Sequence, residues 1–156
     1  MKTVLITGAS SGIGKALGYK FAAEGFNLIL VARDKTKLDA LAERLRQEKG
    51  VSVDVLPADL TQAAELATVE TRLREDEKIG VLINNAGIAQ SGRFIGQTSE
   101  AIERLIALNV TALTRLASAA APRFVNAGEG AIVNISSVVG LAPDFGMSIY
   151  GATKAF

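Results

Sequence analysis

Thr7-Gly8-Ala9-Ser10-Ser11-Gly12-Ile13-Gly14 follows the apolar run Val4-Leu5-Ile6 and opens a segment where Ile13, Leu17 and Phe21 share one helical face. An apolar strand, a glycine turn and an amphipathic helix, in that order, predict an anion site made of backbone alone. Glycines at 8, 12 and 14 keep Cβ atoms out of the turn, so a phosphate can approach the amides. The helix that starts here directs its unpaired N–H groups and the positive end of its dipole at that phosphate. Glycine-rich βα turns also occur without a ligand; the strand before and the helix after are what favour a nucleotide.

The same alternation continues downstream. Met1 to Thr7 reads as a first strand, apolar enough to be central and covered on both faces. A helix from Ser11 to Ala23 stops at Gly25, and Asn27 to Val31 forms a second strand. A second helix, Lys35 to Glu48, carries Leu38, Leu41 and Leu45 on one face and ends at Gly50; Val51 to Leu56 is the third strand. Thr61 is expected to cap a third helix bearing Leu66, Val69 and Leu73. A charged turn over 74–78 precedes a fourth strand, Val81 to Ile83, which runs into Asn84-Asn85-Ala86-Gly87. A long helix starts at Thr98 or Ser99 and presents Ile102, Leu105, Ile106, Val110, Leu113 and Leu116; Pro122 ends or kinks it. Gly128 to Gly130 turns into a fifth strand, Ala131 to Ser136, and a loop with Pro143 and Gly146 leads to Tyr150 in a last helical segment. Strands alternating with helices through right-handed crossovers give an α/β fold, a doubly wound parallel sheet of the Rossmann type. No tandem repeat or linker divides the chain, so residues 1–156 read as a single dinucleotide-binding domain.

Composition narrows the chemistry further. Seventeen basic against sixteen acidic residues leave a net charge of +1, which offers no field to draw in nucleic acid or a membrane surface. No uninterrupted apolar run approaches the roughly 18 residues that span a bilayer, and the glycine turn begins too early for a signal peptide, so a cytoplasmic location is the expectation. With no cysteine there is neither thiolate nucleophile nor cysteine metal site, and with no histidine the commonest general base is missing. Catalysis must come from carboxylates, Lys, Ser, Thr or Tyr, and no metal site is expected.

In an open parallel sheet, ligands bind beyond the carboxyl ends of the strands, and the unusual polar residues fall there. Ser10 and Ser11 follow strand one, Arg33 strand two, Asp59 and Leu60 strand three, Asn84 to Gly87 strand four, and Ser136-Ser137 strand five. Arg33 stands about 20 residues past the glycine turn, where an acidic residue would take a ribose 2′-hydroxyl. Arginine instead matches a 2′-phosphate, which favours NADP over NAD. The competing reading of Arg33 is a solvated loop cation, and Asp34 is either a helix cap or a hydroxyl acceptor. Asn109 sits on the apolar stripe of the long helix, where a buried amide must find partners; it is either a core amide bonded to backbone or part of a site. Tyr150 and Lys154 stand one helical turn apart and can converge on one ligand. An ammonium about 4 Å from a phenol in a partly shielded site stabilises the phenolate by roughly 4 kcal/mol. That is about what bringing a phenol's ionisation from about 10 to about 7 requires.

Taken together, Thr7-Gly-x-x-x-Gly-x-Gly14, Asn84-Asn-Ala-Gly87, Ser137 and Tyr150-x-x-x-Lys154 resemble the short-chain dehydrogenase/reductase family along the whole chain. The glycine spacing also differs from that of the extended, epimerase-like branch. The resemblance implies that Tyr150 is the general acid in carbonyl reduction and the general base in alcohol oxidation. It implies that Ser137 hydrogen-bonds the substrate oxygen, with Ser136 the less favoured of the pair, and that Lys154 binds the nicotinamide ribose and lowers the ionisation of Tyr150. Asn109 would hold a water in a proton relay behind Lys154. The cofactor would be lined by Gly8, Ser10, Ser11, Gly12, Ile13, Gly14, Arg33, Asp59, Leu60, Asn85, Ala86 and Gly87, together with Tyr150 and Lys154. The substrate would be a small carbonyl compound or alcohol, and relatives commonly form dimers or tetramers through their long helices. Family members continue past the Tyr-x-x-x-Lys helix through further strands and a substrate-covering segment. Strand five is therefore expected at an exposed edge, and a polypeptide ending at Phe156 is expected to turn over little.

Two other classes fit part of the pattern. A non-catalytic nucleotide-binding module would have no use for Ser137, Tyr150 and Lys154 together. An inactive fragment of such an enzyme would bind nothing.

Overall fold

The structure, a computed structural model, describes residues 2–142 and 146–156. Met1 and Pro143, assigned above to the first strand and to the loop before Tyr150, lie outside the described residues. Strands β1 (Thr3–Thr7), β2 (Asn27–Ala32), β3 (Val53–Pro57), β4 (Ile79–Asn84) and β5 (Ala131–Asn134) form one sheet in the order β3-β2-β1-β4-β5. Every pairing is parallel, with Val4 opposite Leu28 on one side and opposite Val81 on the other. The chain steps outward from β1 to β3, then crosses back to start β4 on the opposite side of β1. That reversal opens a crevice where the β1 and β4 loops part.

Because side chains alternate along a strand, β1 feeds two cores. Ile6 joins Leu28 and Leu30 beneath α1 (Gly12–Ala23) and α2 (Lys35–Lys49), which supplies Leu38, Leu41 and Leu45. Leu5 joins Ile29 and Leu82 beneath α3 (Ala63–Glu75) and α5 (Leu113–Ala127), which supply Leu66, Val69, Leu73, Leu116 and Phe124. The helix α4 (Ser99–Ile106) precedes α5 in this second layer, and α6 (Ser148–Ala155) packs against α4 and a 3₁₀ turn at Val138–Gly140. Leu5, Leu30, Leu38, Leu73 and Leu82 are each fully buried, and each contributes about 1.5–3 kcal/mol relative to exposure.

Several boundaries differ from the sequence reading, each for a local reason. Helix α3 is not capped by Thr61, because it begins at Ala63 with Gln62 in the capping position; the Thr61 hydroxyl instead donates to Asp59 Oδ1 at 2.7 Å. Strand β3 starts at Val53, although Val51 is buried, and β4 extends from Ile79 to Asn84. Strand β5 ends at Asn134, and it is the sheet edge that was anticipated, with β4 as its pairing partner. Helix α5 runs through Pro122 to Ala127, held by buried Phe124 and by Arg123, whose guanidinium donates to the carbonyls of Leu73, Glu77 and Ile79.

The largest difference lies in the long helix. Thr98 caps it through Ala101 N at 3.2 Å, but Ala107–Ala112 is a π-helical turn between α4 and α5. The wider turn moves the buried face to Leu105, Asn109, Ala112 and Leu116 and leaves Ile106 at 42% exposed. The continuous stretch Ser99–Ala127 is long and apolar enough by composition to cross a membrane, although polar residues interrupt every apolar run within it. Here Leu105, Leu116, Ala119 and Ala120 are buried within the domain.

Candidate nucleotide-binding and catalytic site

Beyond the carboxyl ends of the strands lies a cleft of about 700 Å³. Gly8, Ser10, Ser11, Gly12 and Ile13 line it from the first turn, Arg33 and Asp34 from β2, Asp59 and Leu60 from β3, and Asn85, Ala86 and Gly87 from β4. Gly14 does not face the cleft. It is buried beneath it, and a Cβ there would run into the carbonyl of Gly8 and the side-chain amide of Asn85. Gly8, at φ +67°, would likewise put a Cβ 2.9 Å from the Ala86 Cα. The turn therefore packs backbone to backbone against the β4 loop, a fit that only glycine allows.

Thr7 ties these two loops together. Its Oγ1 donates to Ile83 O at 3.2 Å and accepts from the backbone N–H groups of Asn85 and Ala86, both at 3.0 Å. Asn85 Nδ2 donates in return to Thr7 O at 2.9 Å and Gly8 O at 3.2 Å. Asp34 resolves as a cap of α2, accepting from Lys37 N at 3.0 Å, and its carboxylate also pairs with Lys37 Nζ at 3.2 Å. Partial burial pushes the Asp59 carboxyl up, but hydrogen bonds from Thr61 and the charges of Arg33 and Arg104 outweigh it and hold the group below its ordinary value. Arg33 is exposed at the mouth and forms no ion pair among the described residues.

Asn109 is 2% exposed, and both polar atoms of its amide are hydrogen-bonded. Oδ1 accepts from Ile88 N at 3.0 Å, while Nδ2 donates to Ile88 O at 2.9 Å and to Thr153 Oγ1 at 3.0 Å. The π-helical turn is what brings it inward, so one side chain fastens the loop after β4 to α6. Lys154 Nζ donates to Ile135 O at 2.9 Å, and burial pushes its ammonium below the ordinary lysine value. Both groups crowd Gly87: a Cβ there would lie 3.2 Å from Asn109 Oδ1 and 3.3 Å from Lys154 Nζ. The α6 helix thus delivers a cation to a residue that lines the cleft.

The remaining two groups are placed by the same helix and the loop before it. Ser136 Oγ donates to Lys154 O at 2.6 Å and is thereby committed. Among the described residues, Ser137 Oγ accepts only a long 3.5 Å bond from Val139 N. Tyr150 is half-buried in the first turn of α6, and its hydroxyl makes no hydrogen bond to Ser137 or Lys154 among the described residues. Residues that the sequence reading did not assign to the site also line the cleft, among them Lys37, Thr61 (expected to cap a helix), Ile88, Arg104 and Leu108. Arg104 and Leu108 reach it from the α4 layer, a direction that strand-end reasoning does not cover.

The fold and this cleft define an open parallel α/β protein of the dinucleotide-binding class. The chain belongs to the short chain dehydrogenase family, which matches it over residues 2–156. It is similar to a solved short-chain dehydrogenase from Sphingobium yanoikuyae in complex with NADPH, at 70% identity and a TM-score of 0.98, over 100% of this chain and 61% of that one. A bulky-bulky ketone specific alcohol dehydrogenase from Comamonas testosteroni is 62% identical with a TM-score of 0.98, over 100% of this chain and 63% of that one. Sulfoacetaldehyde reductase of Chromohalobacter salexigens is 39% identical over 98% of this chain and 61% of its own length. The chain therefore spans about three fifths of the length of these relatives.

Proposed function

We propose that this chain is the cofactor-binding and proton-transferring part of an NADP-dependent oxidoreductase that interconverts a carbonyl compound and a secondary alcohol. The observation that carries the reading is the meeting of Lys154 Nζ and Asn109 Oδ1 over Gly87, which joins the catalytic helix to the nucleotide cleft. The cleft also fits the cofactor: Gly8 and Gly12, both at positive φ, line it beside the N-terminus of α1, and Arg33 brings to its mouth a guanidinium without an ion pair among the described residues. NADPH in the Sphingobium relative agrees with this choice over NADH.

When bound, the nicotinamide supplies or accepts the hydride. The amides of the first turn and the N-terminus of α1 would hold the pyrophosphate. Arg33 would take the 2′-phosphate, Asp59 and Leu60 the adenine, and Asn85 to Gly87 the middle of the cofactor. Lys154 would turn toward the nicotinamide ribose, its charge stabilising the Tyr150 phenolate. Tyr150 would give its proton to the substrate oxygen in reduction and take it back in oxidation. Ser137, whose hydroxyl has one weak bond among the described residues, would donate to that oxygen as its charge develops. Asn109 keeps a lone pair on Oδ1 beside Lys154, where a water could link the ammonium to solvent.

Tyr150→Phe, made in a polypeptide of the relatives' full length, tests this. Hydride transfer from NADPH to a panel of ketones should fall by about 10²- to 10⁴-fold while NADPH affinity stays nearly unchanged. A variant that keeps the full rate would remove Tyr150 from proton transfer.

A further inference from the structure

The cleft is walled by both helical layers, and they bring different cations to it. Arg33 leads into α2 on one face of the sheet, whereas Arg104 stands on α4 in the opposite layer. Arg104 has a carboxylate at the favourable spacing on its own helix, Glu100, yet the two form no ion pair. Lys20–Glu24, Lys35–Asp39 and Arg72–Asp76 all pair at this same separation. Arg104 instead lines the cleft beside Leu108, in the same cavity as Asp59 and Leu60. Asp59 is itself turned onto Thr61, whose Oγ1 lies 2.7 Å from its Oδ1, so it leaves the guanidinium unneutralised by a direct contact.

We infer that Arg104 forms the outer wall of the adenine end of the cleft and binds the purine ring itself. This rests on the reading of the cleft as a dinucleotide site. A guanidinium is planar, donates in its own plane and stacks on aromatic faces, so it can engage a purine either at its ring nitrogens or across its face. Leu60 and Leu108 supply the apolar contact that such stacking needs, and Asp59 provides the acceptor for an exocyclic amine. The phosphate-reading role belongs to Arg33 at the end of β2, in the other layer. Arg104 is thus a specificity-determining residue for adenine nucleotides of both kinds, with or without a 2′-phosphate.

The test is titration of this chain, and of its Arg104→Gln and Arg104→Lys variants, with NADPH and NADH, read from the nucleotides' own fluorescence because the chain has no tryptophan. Arg104 is exposed, so neither substitution disturbs the core. With Gln, both dissociation constants should rise by about three- to tenfold and by similar factors, and displacement by 5′-AMP should weaken in step. Lys should recover part of the loss. Two unchanged constants would overturn the inference while leaving the dinucleotide reading intact, and a loss confined to NADPH would overturn it by making Arg104 a phosphate ligand. If the unsubstituted chain binds neither nucleotide, both readings fall.

Discussion

Thr7 Oγ1 and the backbone of Asn85 are joined at 3.0 Å, and the Asn85 amide closes the loop by donating to Thr7 O at 2.9 Å. This reciprocal pair clamps the end of β1 to the end of β4 where the strand order reverses, and so fixes the floor of the cleft. Thr7 is 1% exposed, which leaves no water to replace its hydroxyl. Thr7→Val keeps the shape but takes away the acceptor of the Ala86 N–H and leaves the Asn85 N–H its 3.1 Å bond to Ile83 O, a loss worth about 1–3 kcal/mol. Denaturant unfolding should show a loss of that order, NADPH affinity should fall with it, and Thr7→Ser should restore most of both.

Gly14→Ala is a sharper test of the turn. The added methyl meets the Gly8 carbonyl and the Asn85 amide, and the first of these is backbone that cannot swing away. The variant should lose nucleotide binding by titration, because the turn must move off the β4 loop to admit the methyl. Its far-ultraviolet circular dichroism should still report a folded α/β protein. Undiminished NADPH binding would mean that the turn does not form the phosphate cradle.

Glu70 and Arg115 pin α3 to α5 through two bonds of 2.7 and 2.8 Å, with Arg74 at 3.6 Å from the same carboxylate. The Glu70 side chain is 7% exposed, and the Arg115 hydrogen bonds hold its carboxyl below the ordinary value of 4.5. A carboxylate with a lowered pKa in the folded state stabilises the protein above its unfolded pKa, and that contribution is lost as pH falls through the folded value. Stability should therefore be level near neutrality and decline once the pH drops below about 4.5. Glu70→Gln should lower stability by about 1–3 kcal/mol at pH 7, and the gap should narrow under acid. Parallel acid unfolding curves for the two proteins would show that Glu70 does not carry this dependence.

Much of this was legible in the sequence because it depends on local rules. The five strands follow from apolar runs bounded by turn residues, and parallel order follows from their alternation with helices. The cleft residues Gly8, Ser10, Ser11, Arg33, Asp59 and Asn85 were accessible because each comes just after a strand. What escaped depends on tertiary packing. A π-helical turn inserts its extra residue without changing composition, so the apolar stripe alone assigned Ile106 to the buried face. Thr61 reads as a helix cap, but α3 starts one residue later than that requires, with Gln62 in the capping position, and the Thr61 hydroxyl donates to Asp59. Pro122 looked like a helix end, yet carbonyl bonds from Arg123 and burial of Phe124 hold the next turn in place. Thr7 reads in sequence as one more strand residue, and its role as a hub becomes visible only when β1 and β4 lie side by side.

The proposed selection of a 2′-phosphorylated dinucleotide by Arg33 is tested most directly by titration of this chain and its Arg33→Ala variant with NADPH and NADH. NADPH should bind tighter than NADH by about tenfold or more, the value of a charge-assisted pair, with that preference lost in the variant while NADH affinity stays the same. Equal affinities in the unsubstituted chain, or a preference that survives Arg33→Ala, would contradict it.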